Sequence, residues 1–280
     1  MYEKELFDET LDINSTNNYE ISIQVSLNGF SFCLFDILRN KFVMLRDYKL
    51  SGRDDELGKQ VEEIILKDDF LGRPYHRYRL VYVFERNTLV PAGLFDPAVK
   101  DDYFTLNYNL EDNYLVSNNR IMEPDSFLLF DVRKDLQDVL IKAFPEASLS
   151  HHIKPLLFAC FNNARKQNDK YIHINIEDTY FNIVVISDRK MEFINTFRYR
   201  NSSDIIYYLL FTFEKLGIGK KETIHASGLI GKGGELYNNL SRYAGNIKLE
   251  KPVGKWSLSY VFESIDLHRY SNLFNILSCV

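Results

Sequence analysis

The chain has 280 residues, 45% hydrophobic and 26% charged, enough apolar material to bury a large core in one or two soluble domains. A net charge of −5 provides no global basic field and argues against nucleic acid or an acidic membrane surface as partner. The longest apolar run, residues 205–213, is far short of the roughly 20 residues of a spanning helix, so no integral membrane segment is expected. Cys33, Cys160 and Cys279 form no CxxC pair, which fits buried thiols in a reducing compartment, the cytoplasm.

The first eighteen residues are polar and acidic, lack the apolar core of a signal peptide, and read as a frayed or loosely docked segment. Residues 20–48 then read as three strands, with Asn28-Gly29 as a tight turn of positive φ and Arg39-Asn40 as the next turn. Ser51 with Asp54 has the pattern of a helix cap, and Leu57, Val61, Ile64 and Ile65 lie on one helical face. Residues 79–85 read as a strand. The cluster Arg73, Tyr75, His76, Arg77, Tyr78 and Arg79 before it reads as a solvated loop.

The middle is broken by Pro91 and Pro97, and residues 96–113 are acidic and aromatic. YLVSNNRI and SFLLFDV read as strands, VRKDLQDVLIKAF as an amphipathic helix, and ASLSHH as a short strand. PLLFACFNNARKQ reads as a helix with Pro155 in its first turn. His151 and His152, adjacent on a strand and without ligand-spaced neighbours, read as surface or cap residues. His173 and His225 sit inside strands and read as hydrogen-bonded or edge residues.

Residues 171–199 repeat the opening pattern. At an offset of 151, Ile21, Ile23, Phe30, Phe42 and Tyr48 meet identical residues at 172, 174, 181, 193 and 199. Asn201 and Asp204 take the place of Ser51 and Asp54. The following helix, apolar nearly all round, is expected to be buried on several sides and to end at Gly217. A strand, ETIHASG, leads into the glycine-rich LIGKGG and a helix closed by Gly245.

Three antiparallel strands, a capped helix and a strand, used twice, resemble the scheme of the actin-like ATPase superfamily (actin, sugar kinases, Hsp70). The resemblance implies an α/β actin-like (ribonuclease H-like) fold of two related subdomains, each with a mixed sheet and flanking helices. The boundaries are 1–168 for the first subdomain, 169–251 for the second, and 252–280 for a tail packing back on the body. In that superfamily a hairpin of the form Asp-x-Gly-Thr/Ser and another of the form Asp-x-Gly-Gly-Gly hold phosphates, and a later Gly-Gly turn holds adenosine.

Here the first hairpin reads Gln24-Val25-Ser26-Leu27-Asn28-Gly29, without the acidic residue, and the second reads Asn175-Ile176-Glu177-Asp178-Thr179. Carboxylates stand where bare glycine amides would approach phosphate. Glu177 and Asp178 read either as solvated turn residues or as a magnesium-bridged pair. Gly228, Gly231, Lys232, Gly233 and Gly234 form the adenosine-turn candidate; the plainer reading, a strand-to-helix turn needing positive φ, outweighs it.

No catalytic or metal residues are assigned, and no cofactor is expected. The leading function is a non-catalytic intracellular scaffold or binding protein using a degenerate actin-like cleft or its rim, with a protein partner. The alternative is an ATPase or small-molecule kinase with diverged phosphate loops, which alone would need ATP and magnesium.

Overall fold

A computed structural model describes residues 2–167, 169–219 and 222–279. They group into two compact units: Met1–Lys154 with Gly254–Ile265 and Ile276–Val280, and Pro155–Val253 with Asp266–Asn275.

The first unit contains β1 (Lys4–Phe7), β2 (Tyr19–Ser26), β3 (Gly29–Asp36), β4 (Lys41–Lys49), α1 (Leu57–Lys67) and β5 (Arg77–Val83). Next come β6 (Asn87–Pro91), α2 (Lys100–Thr105), β7 (Tyr114–Ile121), β8 (Ser126–Arg133), α3 (Lys134–Ala143) and β9 (Ser148–His151). The main sheet runs β1-β4-β3-β2-β5-β9, with the two-residue strand Ser257–Leu258 parallel to the start of β4. A second sheet, β6-β8-β7, packs Val90, Val116 and Leu129 around Phe104 of α2.

The second unit contains α4 (Ile153–Ala164), whose first two residues still belong to the first unit, and then β10 (Tyr171–Ile176), β11 (Tyr180–Ser187) and β12 (Lys190–Arg198). α5 (Ser202–Lys215), β13 (Thr223–Gly228), α6 (Glu235–Tyr243), β14 (Asn246–Leu249) and α7 (Ser271–Asn275) follow. Its sheet runs β12-β11-β10-β13-β14. α4, read from the sequence as part of the first half, clusters with this unit, and Asn168 at the sequence boundary lies outside the described residues.

The duplication holds at the level of register. Ile21↔Leu34, Ile23↔Phe32 and Val25↔Phe30 correspond to Ile172↔Val185, Ile174↔Ile183 and Ile176↔Phe181, each 151 positions on (172−21, 185−34). Both meanders carry a β-bulge at the matching step, Leu34/Phe35 and Val185/Ile186. In both, the first strand pairs parallel with the strand after the helix.

The third strand corrects the sequence alignment. Phe30 pairs with Tyr48 but Phe181 pairs with Phe197, so the offset there is 149 (197−48). The β3–β4 connection has four residues between its strands, whereas Asp188 and Arg189 alone join β11 to β12, both at positive φ (51° and 63°). That two-residue turn suits the twist of the strands it joins. The identities Phe42/Phe193 and Tyr48/Tyr199 are therefore not structural equivalences.

Other expectations also change. The opening segment is not frayed throughout: β1 pairs antiparallel with β4, and Glu5 bonds Arg46, whose guanidinium lies between the rings of Tyr2 and Phe70 and also meets Asp68 and Asp69. The first hairpin turns at Leu27-Asn28, and neither Asn28 nor Gly29 has positive φ, because Gly29 already pairs with Lys49. Ser51 does not cap α1; its hydroxyl bonds Gln60 and the amide of Arg53, and a 3-10 turn (Asp54–Glu56) precedes the helix. Asn201 does cap α5, accepting from the amides of Ser203 and Asp204, and Gly217 ends the stretch at φ +62°.

Arg79 is buried against Glu20 in the sheet, and Tyr75 and Tyr78 pack edge to face, so only part of that basic cluster is solvated. His151 and His152 are buried rather than surface residues, and His151 Nε2 is 3.0 Å from the Phe84 carbonyl oxygen.

α5 is buried on one face only. Ile205, Leu209 and Phe213 enter a core with Ile172, Ile174, Ile176, Ile224 and Leu240, while Tyr207 and Phe211 remain 63% and 45% exposed. Leu209→Ala is expected to cost about 2–5 kcal/mol through lost contact and a residual cavity, and Leu210→Ala, half-buried, less than half of that. Urea denaturation of both variants checks the order; equal losses would place Leu210 in the core instead.

Candidate functional site

β10 is the central strand of its sheet and all six of its residues are buried. Alternation sends Ile172, Ile174 and Ile176 into the apolar core and Tyr171, His173 and Asn175 to the opposite face. Those polar groups are joined in one hydrogen-bonded chain. Asn182 Nδ2 donates to Thr196 Oγ1 (2.9 Å), and Asn175 Nδ2 donates to Asn182 Oδ1 (3.4 Å) and Glu177 Oε1 (2.8 Å). Ser227 Oγ donates to Asn175 Oδ1 (2.8 Å) and lies 2.8 Å from His173 Nε2.

Because the Ser227 proton is directed at Asn175, His173 donates from Nε2, leaving Nδ1 to accept from the Tyr171 hydroxyl (3.2 Å). Burial pushes the His173 imidazole down to about 3, so it stays neutral. The Asn163 amide of α4 donates to Glu250 (3.1 Å), and Glu250 also bonds His225 Nδ1 and Lys248. Burial works to raise the Glu250 carboxyl, but the bonds from His225 and Lys248 outweigh it and hold it at about 2. Both strand histidines are thus hydrogen-bonded, and the Ser227–His173 contact is sealed inside the sheet face, with no exposed nucleophile.

The β10–β11 turn leads out of this chain. The Glu177 amide donates to the Tyr180 carbonyl (2.9 Å), and the Glu177 carbonyl accepts from the Tyr199 hydroxyl (2.5 Å). Its carboxyl is half-buried, and burial first, then Asp178 against the Asn175 donor, pushes it up to about 7. Among the described residues no group of three or more His, Cys, Asp or Glu side chains is gathered to hold a metal here.

The glycine-rich turn follows β13 in the same unit. Gly228 has φ +83°, and a Cβ there would lie 2.1 Å from the Ile176 carbonyl oxygen, so the close approach of β13 to β10 requires glycine. The amides of Leu229, Ile230 and Gly234 donate to the carbonyls of Ile176, Gly228 and Gly231. His268 Nε2 bonds the Ile230 carbonyl from the C-terminal segment. Gly231, Lys232, Gly233 and Gly234 are exposed, Gly233 at φ +76°, and Glu235 stands at the start of α6 with Ser202 on its carboxylate. The structure thus brings the β10–β11 turn and the start of the glycine-rich turn to one end of the sheet, through the Leu229 amide on Ile176.

The amides of Leu229, Ile230 and Gly234 are taken by backbone carbonyls, and Glu177, Asp178 and Glu235 place carboxylates at the two turns. The Asn175, Ser227, His173 and Glu250 chain escaped sequence reading because β10, β13 and the residue after β14 are brought together only by the fold; the alternation of polar residues in YIHIN was its only local signal. In the first unit, a groove of about 380 Å³ is lined by Tyr48, Gln60, Lys67 and Asp68, but its Arg46 is committed to three carboxylates.

Two sheets built on one meander-helix-strand plan define an actin-like ATPase fold. A protein of that fold and unknown function from Bacteroides thetaiotaomicron VPI-5482 superposes with a TM-score of 0.83 at 20% identity, over 96% of this chain and 99% of that one. The PilM-PilN type IV pilus biogenesis complex matches with a TM-score of 0.57 at 11% identity, over 93% and 97%. The chain belongs to the family described as protein of unknown function (DUF3822), whose profile matches residues 8–247. No curated protein matches it. No helix among the described residues is long and apolar enough to cross a membrane.

The Glu177 carboxyl gives a pH signature. Its folded value near 7 lies above the unfolded value near 4.5, so the folded chain holds a proton that the unfolded chain releases, and stability falls as pH rises between those values. Glu177→Gln keeps an acceptor for Asn175 and removes that loss. Its melting temperature is expected to exceed that of the parent at pH 8 and to match it at pH 4.5; parallel curves at both would show that Glu177 titrates normally.

Proposed function

We propose that this chain is a cytoplasmic binding protein that uses an actin-like fold to engage a protein partner and does not turn over nucleotide. The observation that carries this reading is the β10–β11 turn, where Glu177 and Asp178 stand in place of glycines, the Glu177 amide donates to Tyr180 and its carbonyl accepts from the Tyr199 hydroxyl. The net charge of −5 gives nucleic acid no reason to bind. Three buried cysteines outside any disulfide, Cys33, Cys160 and Cys279, support a reducing compartment. The PilM neighbour, solved as a complex with PilN, is a precedent for partner binding on this fold.

The alternative, an ATP- and magnesium-dependent ATPase or kinase, is favoured by one feature, the exposed glycine-rich turn before α6. There Gly231, Lys232, Gly233 and Gly234 are exposed, with the Lys232 ammonium among them. ATP with magnesium is expected to bind no tighter than about 1 mM, about −4 kcal/mol, without hydrolysis. Calorimetric titration with ATP, ADP and adenosine checks this; micromolar ATP binding that vanishes without magnesium would overturn the binding-protein reading.

A further inference from the structure

Between β5 and α3 the first unit carries residues 84–133, whereas residues 229–234 suffice between β13 and α6 in the second. The meander-helix-strand plan therefore does not need the sheet β6-β8-β7 or α2, and the insertion calls for another role. Residues 92–112 of it hold the carboxylates of Asp96, Asp101, Asp102, Glu111 and Asp112 against a single cation, Lys100.

The inner side of α2 is closed, since Phe104 enters a core with Val90, Val116 and Leu129. The outer side is exposed. Val99 just before α2, Asp102 within it and Leu106 just after it follow the i, i+3, i+7 spacing of one helical face, with Leu106 81% and Val99 41% exposed. The Tyr103 hydroxyl donates to the Leu94 carbonyl (2.6 Å), which holds the turn Ala92–Leu94 against α2 with Leu94 69% exposed. Phe95 stacks on Phe127 of β8 at 4.1 Å between ring centres, so this turn is anchored on its sheet. Asp96 accepts from the Ala98 amide through one oxygen (2.9 Å), and Glu111 faces Arg86 (3.6 Å). The exposed carboxylates of Asp101 and Asp102 make no ion pair among the described residues.

We propose that this surface docks a lysine- or arginine-rich amphipathic segment of a partner protein, its apolar side chains on Leu94, Val99 and Leu106 and its cations beside Asp96, Asp101 and Asp102. Large apolar side chains exposed together mark a contact surface, and the unpaired carboxylates among them fix the sign of the charge that fits. The same carboxylates repel nucleic acid and anionic lipid headgroups. A second copy of the chain supplies this chemistry poorly. Its exposed aromatic pair on α5, Tyr207 and Phe211, lies between Asp204 and Glu214, and the nearby Lys215 already sits over the Phe211 ring.

The inference rests on the binding-protein reading and has its own test, since nucleotide titration and peptide titration fail separately. The probe is a peptide about four helical turns long with leucine on one face and lysine elsewhere. Beside it stand one peptide with glutamate for every lysine and one with serine for every leucine. Fluorescence polarisation is expected to show the leucine-lysine peptide binding about tenfold or more tightly than either of the others. Leu94→Ser with Leu106→Ser, and separately Asp101→Asn with Asp102→Asn, should each weaken it about tenfold. All four side chains are exposed, so melting temperatures should stay within a few degrees of the parent. Phe211→Ser, on the exposed face of α5, should leave binding unchanged. Equal binding of the lysine-serine peptide, or no binding of the leucine-lysine peptide up to about 1 mM, overturns the proposal. So does either double variant that binds as the parent does, or a loss of binding on Phe211→Ser. A dimer in light scattering that Leu94→Ser with Leu106→Ser converts to monomer also overturns it, by giving the surface to a second copy.

Discussion

Every residue of β10 is buried, so each of its faces must be closed by groups matched to it. The isoleucine face needs only apolar volume, which α5 and α6 supply. The Tyr171, His173 and Asn175 face needs partners, because each buried polar group left unbonded costs about 1–3 kcal/mol. Those partners come from Asn163 in α4, Asn182 in β11, Ser227 in β13 and Glu250 after β14. This requirement explains why α4 folds with the second unit: Asn163 is needed at the Tyr171–Glu250 end of the chain. Because each member satisfies the next, the network behaves as a unit, and its worth is not a sum of pairs.

The same region sets the electrostatics of the turn. A position that raises a carboxyl to about 7 is one where burial and a neighbouring carboxylate penalise negative charge. A phosphate oxygen placed there would meet the same penalty, plus the repulsion of Asp178. At about 4 Å in a surface-like dielectric that repulsion is about 4 kcal/mol per charge pair. The fold is thus kept while one of its turns carries carboxylates. Gly228 belongs to the fold itself: its glycine is required by the Ile176 carbonyl 2.1 Å from where a Cβ would stand, whatever binds nearby.

The meander-helix-strand plan was legible because period-two alternation in ISIQVSL and YIHINI reports a strand with two distinct faces, and the constant offset over the first two strands reports a shared register. It failed at the third strand because residue identity cannot show that one connection holds four residues and the other two. Composition misled on α5: an apolar surround suggests burial on several sides, but Tyr207 and Phe211 stack on each other in solvent, with Lys215 over Phe211. β1 was illegible because KELF is short and its stabilising partner, Arg46, lies about forty residues on. The functional reading was weaker still, since the glycines of residues 228–234 satisfy both a ligand turn and a structural one, and only bond partners distinguish those.

Closing a sheet edge from within the chain takes more than a compatible strand. β1 is fixed on β4 because Asp8, just beyond it, is a buried carboxylate that pairs with Lys41 (2.7 Å), accepts from the Thr10 amide and hydroxyl, and accepts from Ser259. Burial opposes ionisation there, yet these bonds hold the Asp8 carboxyl well below the usual carboxylate range. One anion thus fastens the opening strand, the start of β4 and the C-terminal segment together. β12 has no comparable clasp among its described contacts. Its edge is instead blunted by the bulge at Val185/Ile186, by the Asn195 side chain on the Thr196 amide, and by exposed charges at both ends. These are the devices that keep a long edge from pairing indiscriminately.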